Sequence, residues 1–242
     1  MKLLVSFFKL IRWPNLFFII LSQCLFQYCI YNPLYQINSS DTPVSFFLMM
    51  LASVFIAAAG YAINDYFDVN IDQVNKPAKV VVSNIINRRW VIFWHFFFSL
   101  SGIYITLIAF SFQQYWHIHL ANLLSILLLW FYSTNIKKKL LIGNVLIAIL
   151  TAWVIGVVYF SKFTMTELIT RAIKYFLEGL AVALATFIIP QKKLNVEEIL
   201  AVSIVAAVTF ALLDLLAPSI GLTARQGAGF GLGANLVGFP KL

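Results

Sequence analysis

Charge is scarce in this chain. Only 11% of its 242 residues are Asp, Glu, Lys or Arg, 62% are hydrophobic, and the mean hydropathy is +0.90. Soluble domains carry about 25% charged residues, so a water-soluble globule is excluded and a membrane-embedded chain is expected. Cysteine is nearly absent as well. Cys24 and Cys29 both fall in the first apolar run, which excludes a disulfide framework and leaves each as a small hydrophobe. Histidine is limited to His95, His117 and His119, none spaced with a cysteine or carboxylate as a metal site requires, and all three are expected at the membrane interface. A small-residue cleavage site is missing after the first apolar stretch, so that stretch is expected to remain as a spanning helix.

What the chain does have is long apolar runs. They lie at about 13–31, 44–63, 90–111, 116–134, 141–160, 167–189 and 197–217, each long enough to cross a bilayer. Lipid offers the backbone no hydrogen-bonding partner, so the expected fold is all-α: a polytopic transmembrane bundle of about seven helices. The net charge of +8 comes from basic residues spread over short loops, which argues for orientation signals rather than nucleic-acid binding. With the N-terminus inside, Lys2, Lys9, Arg12, Lys76, Lys79, Arg88, Arg89, Lys137, Lys138, Lys139, Lys192 and Lys193 all become cytoplasmic, 12 of the 17 basic residues.

Three of the nine acidic residues are packed into Asn64-Asp65-Tyr66-Phe67-Asp68-Val69-Asn70-Ile71-Asp72, after an apolar run that closes Ala57-Ala58-Ala59-Gly60. At roughly 100° per residue, Asp65, Asp68 and Asp72 fall within an arc of about 60° on one helix face. Like charges so placed repel unless a cation neutralises them, and oxygen-only ligands favour Mg²⁺, with Asn64 as a neutral fourth donor. A solvated acidic helix end is the plainer alternative. Lys76 and Lys79 follow in the next loop, where they serve either as topology signals or as partners for the phosphate oxygens of a metal–polyphosphate pair.

Polar groups elsewhere fit the same side of the membrane. Asn15, after Arg12-Trp13-Pro14, is carried into the membrane region for a helix–helix bond or for a ligand. Tyr132, Lys137, Lys138 and Asn144 flank the connection near residues 132–144 and offer a second anion-binding cluster. The rings of Trp94, Phe96, Phe97 and Phe98 form an aromatic wall expected to pack against lipid.

Taken together, Ala59-Gly60-Tyr61-Ala62-Ile63-Asn64-Asp65-Tyr66-Phe67-Asp68-Val69-Asn70-Ile71-Asp72 and Asn75-Lys76-Pro77 resemble the first aspartate-rich motif of the UbiA superfamily of intramembrane prenyltransferases. Arg12-Trp13-Pro14-Asn15-Leu16 resembles that family's first helix, and Tyr132-Ser133, Lys137-Lys138 and Gly143-Asn144 resemble its helix 4–5 connection, so the likeness covers about residues 5–160. The resemblance implies a helical bundle around a lipid-accessible cavity that binds a prenyl diphosphate through Mg²⁺. Asn64, Asp65, Asp68 and Asp72 would hold metal and diphosphate, and Lys79 with Lys137 or Lys138 would meet phosphate. It implies transfer of the isoprenyl group to an acceptor, a glycerol-phosphate ether lipid precursor ahead of an aromatic quinone precursor.

The likeness is incomplete. The family's nine helices and second aspartate-rich motif lack a counterpart: after Asp72 the only close carboxylates are Glu197 and Glu198, which read as a helix start capped by Asn195. Residues 1–163 are therefore expected to form the prenyltransferase-like bundle, inactive if the missing motif is indispensable. Residues 164–242 form divergent helices whose texture resembles small membrane proteins of large DNA viruses, as a fusion would produce. A non-catalytic membrane protein retaining part of an enzyme bundle is the second reading. The glycine-rich stretch 225–235 is expected as a flexible or interfacial tail, and Asp214 as a lone carboxylate in an apolar helix. Arg171, Lys174 and Glu178 have the spacing of pairs along one helix, which makes an ion-conducting role unnecessary.

Overall fold

The computed structural model describes residues 2–38, 43–75, 81–188 and 194–237, with the side chains of Lys138, Leu140, Leu232 and residues 234–237 outside that description. The described residues are helical, without a β-strand, and divide into two compact units, Met1–Met165 and Thr166–Leu242. Six helices are long and apolar enough to cross a membrane, and the chain is an integral multi-pass membrane protein.

The first unit begins with α1 (Lys2–Leu10) and α2 (Trp13–Leu25), which continues through a π-helical turn at Phe26–Tyr31 into the short α3 (Asn32–Leu34). Pro14 falls in the first turn of α2, where its missing N–H leaves no bond unmade. Arg12 turns the chain between α1 and α2 with φ 51° and ψ 53°, a left-handed conformation that a residue with a Cβ seldom adopts. Then come α4 (Val44–Asn75), α5 (Arg88–Ala109), α6 (Phe112–Thr134) and α7 (Leu140–Phe160).

Helix α4 is the spine. Its 32 residues span about 48 Å, well beyond a hydrocarbon core of about 30 Å, so its last turns project past the membrane. Hydropathy placed its end near residue 63. The helix instead runs on to Asn75, because the polar face of Asn64–Asp72 interrupts apolarity without interrupting the backbone ladder. Small residues let neighbours approach. A Cβ on Gly102 would lie 2.8 Å from Ile56 Cγ1, and one on Gly60 would lie 2.9 Å from Leu129 Cδ1, so α5 and α6 both press closely on α4.

Buried polar groups tie the spans together where lipid offers no water. Gln23 Nε2 donates to Ser53 Oγ at 3.0 Å and to Val154 O at 2.8 Å, joining α2, α4 and α7. Asn122 Nδ2 donates to Thr106 Oγ1 at 3.1 Å, joining α6 to α5. His95 is not interfacial: it is buried, and its Nδ1 lies 3.0 Å from Ala59 O, a carbonyl that can only accept. The aromatic wall of α5 is split, with Phe96 and Phe97 exposed while Phe98 packs inward beside Ile11, Leu16 and Ala58.

The second unit holds α8 (Met165–Ile188), α9 (Val196–Leu216) and α10 (Pro218–Val237). A seventh span was expected at 167–189, but α8 carries Glu167, Arg171, Lys174 and Glu178 and is not among the six apolar spans. Helix α9 starts as expected, with Asn195 as N-cap and its N–H donating to the Glu198 carboxylate at 2.9 Å. Asp214 is not alone. It accepts from Lys174 Nζ at 2.8 Å and from Arg225 Nη1 and Nη2 at 2.7 and 2.8 Å, while Arg225 Nε donates to Glu178 at 2.6 Å. Lys174 and Glu178 thus find partners across helices. The glycine-rich stretch is likewise helical rather than a loose tail. Each glycine costs a helix about 1 kcal/mol relative to alanine, and the Arg225 ion cluster anchors the segment against that cost.

Candidate functional site

One face of α4 organises the site. Ser53, Ala57, Gly60, Tyr61 and Asn64 line a cavity of about 690 Å³ inside the first unit, within the range of small-molecule sites. Steps of three and four residues carry the same face on to Asp65 and Asp68, so the chamber ends at the acidic turns. Opposite walls come from α2 with Asn15, Phe18 and Ser22, from α6 with Asn122, Ser125, Leu129 and Tyr132, and from α7 with Ile147, Thr151 and Trp153. The lining is mostly apolar, with polar groups contributed by all four helices, among them Ser22, Ser53, Asn122 and Thr151.

At the mouth, cations already face the carboxylates. Arg12 Nη2 donates to Asp65 Oδ1 at 2.7 Å, and the same guanidinium stacks 5.2 Å above the Tyr61 ring. Lys137 Nζ donates to Asp68 Oδ1, and Asn64 Nδ2 donates to Asp68 Oδ2 at 2.9 Å. The Lys137 and Asp68 side chains are only 16% and 19% exposed, so this pair is better shielded than the Arg12–Asp65 pair, whose arginine is 42% exposed. Asp72 is half-buried on the same face, two turns beyond Asp65.

The structure therefore brings together Asn15, Asn64, Asp65, Asp68, Tyr132 and Lys137. Asn144 is exposed in the first turn of α7 and does not line the chamber. Lys76 and Lys79 lie outside the described residues, as does the side chain of Lys138. Among the described residues, no three His, Cys, Asp or Glu side chains converge on one point as a metal cage would require. The donor set still suits magnesium in its usual mode, which takes one or two carboxylates and completes its shell with water and substrate phosphate.

In the sequence Arg12 stands as an orientation signal and as the first residue of the Arg12-Trp13-Pro14-Asn15-Leu16 motif, not as a partner of Asp65. Its place beside Asp65 depends on the left-handed turn, which carries no mark in the sequence. The α6 wall was legible in principle: Asn122, Ser125, Leu129, Tyr132 and Ser133 recur at helical spacing within an apolar span.

A helical membrane bundle with a mostly apolar chamber beside a carboxylate–cation cluster defines a class: a polytopic membrane protein with an internal cavity. Residues 29–193 match the UbiA prenyltransferase family, and the chain belongs to it. It is 32% identical over 110 residues to a digeranylgeranylglyceryl phosphate synthase of Sulfurisphaera tokodaii, a match covering 46% of this chain and 38% of that one. It is 49% identical over 81 residues to uncharacterized protein L434 of Acanthamoeba polyphaga mimivirus, covering 32% of this chain and 51% of that one. The chain thus spans about half or less of the length of these curated relatives. The fold is shared with a solved structure described as giving structural and mechanistic insights into the biosynthesis of digeranylgeranylglyceryl phosphate synthase in membranes, at TM-score 0.55 and 20% identity, over 98% of this chain and 99% of that one.

Proposed function

We propose that the chain transfers an isoprenyl group from a prenyl diphosphate to a membrane acceptor, with a glycerol-phosphate ether lipid precursor preferred to an aromatic quinone precursor. The observation that carries this reading is the single face of α4 running from the apolar chamber to Asp65 and Asp68, each matched by a basic side chain. The isoprenyl chain occupies the apolar part of the chamber, against Phe18, Ile147 and Leu129. The diphosphate lies at the mouth, where Arg12 and Lys137 turn from the carboxylates to the phosphate oxygens.

Asn64, Asp65, Asp68 and Asp72 are the residues that would hold Mg²⁺, which supplies Lewis-acid stabilisation of the departing diphosphate. In the reaction the allylic C1–O bond breaks, diphosphate leaves, and the acceptor oxygen or ring carbon bonds to C1 and loses its proton. The rings of Tyr61, Tyr132 and Trp153 on the chamber wall present faces that stabilise allylic positive charge. The apolar walls keep water from capturing it. We assign this chemistry to residues 1–163 and place the N-terminus and the aspartates on the cytoplasmic side, a reading supported by the distribution of basic residues.

A second reading is a protein that binds the diphosphate without turning it over. The feature that favours it is the internal pairing of Asp65 and Asp68, together with the lack of a three-ligand metal group among the described residues. Radiolabelled geranylgeranyl diphosphate, offered to the purified chain with Mg²⁺ and with glycerol-phosphate or aromatic-acid acceptors, separates the two. Labelled ether product supports transfer. Binding without product supports the second reading, and the absence of both defeats each.

A further inference from the structure

The end of the first unit farthest from the aspartates holds a second cavity, of about 390 Å³. Ser45 lines it and lies 20 residues before Asp65 on α4, about 30 Å away along the helix, which is one membrane thickness. Lys162 also lines it, just after α7. Its ammonium stands over two rings, 5.1 Å from the Tyr31 centroid and 5.6 Å from that of Phe46. Among the described residues, no carboxylate lies within ion-pair distance of it. Burial pushes this lysine below its usual range, as loss of water around a cation does.

The rest of the lining supplies donors. Ser45, Ser111, Gln114 and Tyr115 contribute hydroxyl and amide groups. The cavity also receives the start of α6, where Ser111 occupies the N-cap position but its side chain makes no capping bond, so first-turn N–H groups remain available to an acceptor. The carbonyl ends of α5 and α7 close at the same level, but Phe110 N–H and Ser161 N–H already donate to Thr106 O and Val157 O. A half-buried cation with no carboxylate partner among the described residues, a ring of neutral donors and a helix start make a pocket suited to an anion.

We propose that this cavity is a second binding site, on the membrane face opposite the aspartates, for the phosphate group of an anionic lipid headgroup. The aromatic rings hold the ammonium at a fixed height, and Gln114 and Tyr115 orient the phosphate oxygens. The lipid tails leave along the apolar exterior of the bundle. This site is independent of the prenyl diphosphate reading, because it lies at the other end of the helices and shares no residue with that mouth.

The test uses the purified full chain in detergent with dioctanoyl phosphatidic acid, dioctanoyl phosphatidylcholine and inorganic phosphate, read by native mass spectrometry and by thermal shift. The wild-type chain should retain phosphatidic acid at least tenfold more tightly than phosphatidylcholine. Lys162→Gln should lose that preference while keeping its lipid-free Tm, and Lys162→Arg should keep the preference. Gln114→Glu, which adds a negative charge to the rim, should weaken phosphatidic acid about tenfold and keeps the proposal testable should Lys162→Gln fail to fold. Millimolar phosphate should compete with phosphatidic acid because the site reads the phosphate group itself, and failure to compete would count against the proposal. Equal retention of phosphatidic acid by wild type and either charge variant, no preference over phosphatidylcholine, or binding of inorganic phosphate alone would overturn it.

Discussion

Arg12 and Asp65, 53 positions apart, meet at 2.7 Å between Nη2 and Oδ1. The contact is set by the left-handed turn at Arg12, which ends α1 and swings the guanidinium over Tyr61 and onto the acidic face of α4. A residue placed at the cost of an uncommon backbone conformation, on the acidic turn of a ligand chamber, points to a role beyond charge pairing.

Replacing Arg12 separates these roles. The pair is partly exposed, and exposed pairs contribute about 0–1 kcal/mol, so Arg12→Ala should change Tm little. Affinity for a prenyl diphosphate should fall about tenfold to a hundredfold, since charge-assisted bonds to phosphate are worth about 1.5–3 kcal/mol each. Arg12→Lys should recover only part, because an ammonium lacks the two-pronged geometry. Equilibrium binding with labelled diphosphate reads all three proteins.

Lys137 should behave differently, since its pair with Asp68 is better shielded. Among the described residues, Lys137→Ala leaves Asp68 with Asn64 as its remaining hydrogen-bond donor. It should destabilise the chain by about 1–2 kcal/mol, below the 3–5 kcal/mol of fully buried pairs because both groups keep some water. Lys137→Ala should also weaken diphosphate binding. The double variant Asp68→Asn/Lys137→Ala should regain stability without regaining affinity, as measured by thermal unfolding beside the binding assay.

How much of this was legible beforehand follows from what one sequence records. The apolar runs of α2, α4, α5, α6, α7 and α9 announced themselves because lipid demands length and hydropathy, and the Asp65–Asp72 face did so because helical period is written in spacing. Pairing inside the second unit is silent in the sequence for the converse reason. Lys174 and Glu178 have the spacing of a pair within α8, yet their partners Asp214 and Arg225 are on α9 and α10, and pairing across helices leaves no periodic trace. The π-helical turn at Phe26–Tyr31, whose last residue lies beneath Lys162, is equally silent in the sequence.

Packing of α4 on α6 makes a steric prediction. A Cβ at Gly60 would lie 2.9 Å from Leu129 Cδ1, the end of a flexible side chain that itself lines the chamber. Gly60→Ala should cost about 1 kcal/mol through overpacking and push Leu129 into the chamber, so prenyl diphosphate binding falls. Adding Leu129→Ala should restore binding, because the new methyl then fills space that the leucine vacates. Thermal unfolding and binding of the single and double variants check the coupling.

Arg225 is the centre of the second unit's polar contacts, with Glu178 and Asp214 both bound to it and Gly221 leaving room for the approach. Arg225→Met should leave Asp214 with Lys174 and take from Glu178 the guanidinium that binds it, destabilising this unit by about 2–4 kcal/mol, slightly below a fully buried triad. Limited proteolysis should then cut within α10 sooner. Diphosphate binding should persist, since every residue assigned to it belongs to the first unit.

The most direct measurement is binding of geranylgeranyl diphosphate to the purified chain, with Mg²⁺ present or removed by chelator, in the wild type and in Asp68→Ala. The account predicts tight binding that depends on Mg²⁺ in the wild type and falls at least tenfold in the variant. Equal affinity in the two proteins, with chelator making no difference, would contradict it.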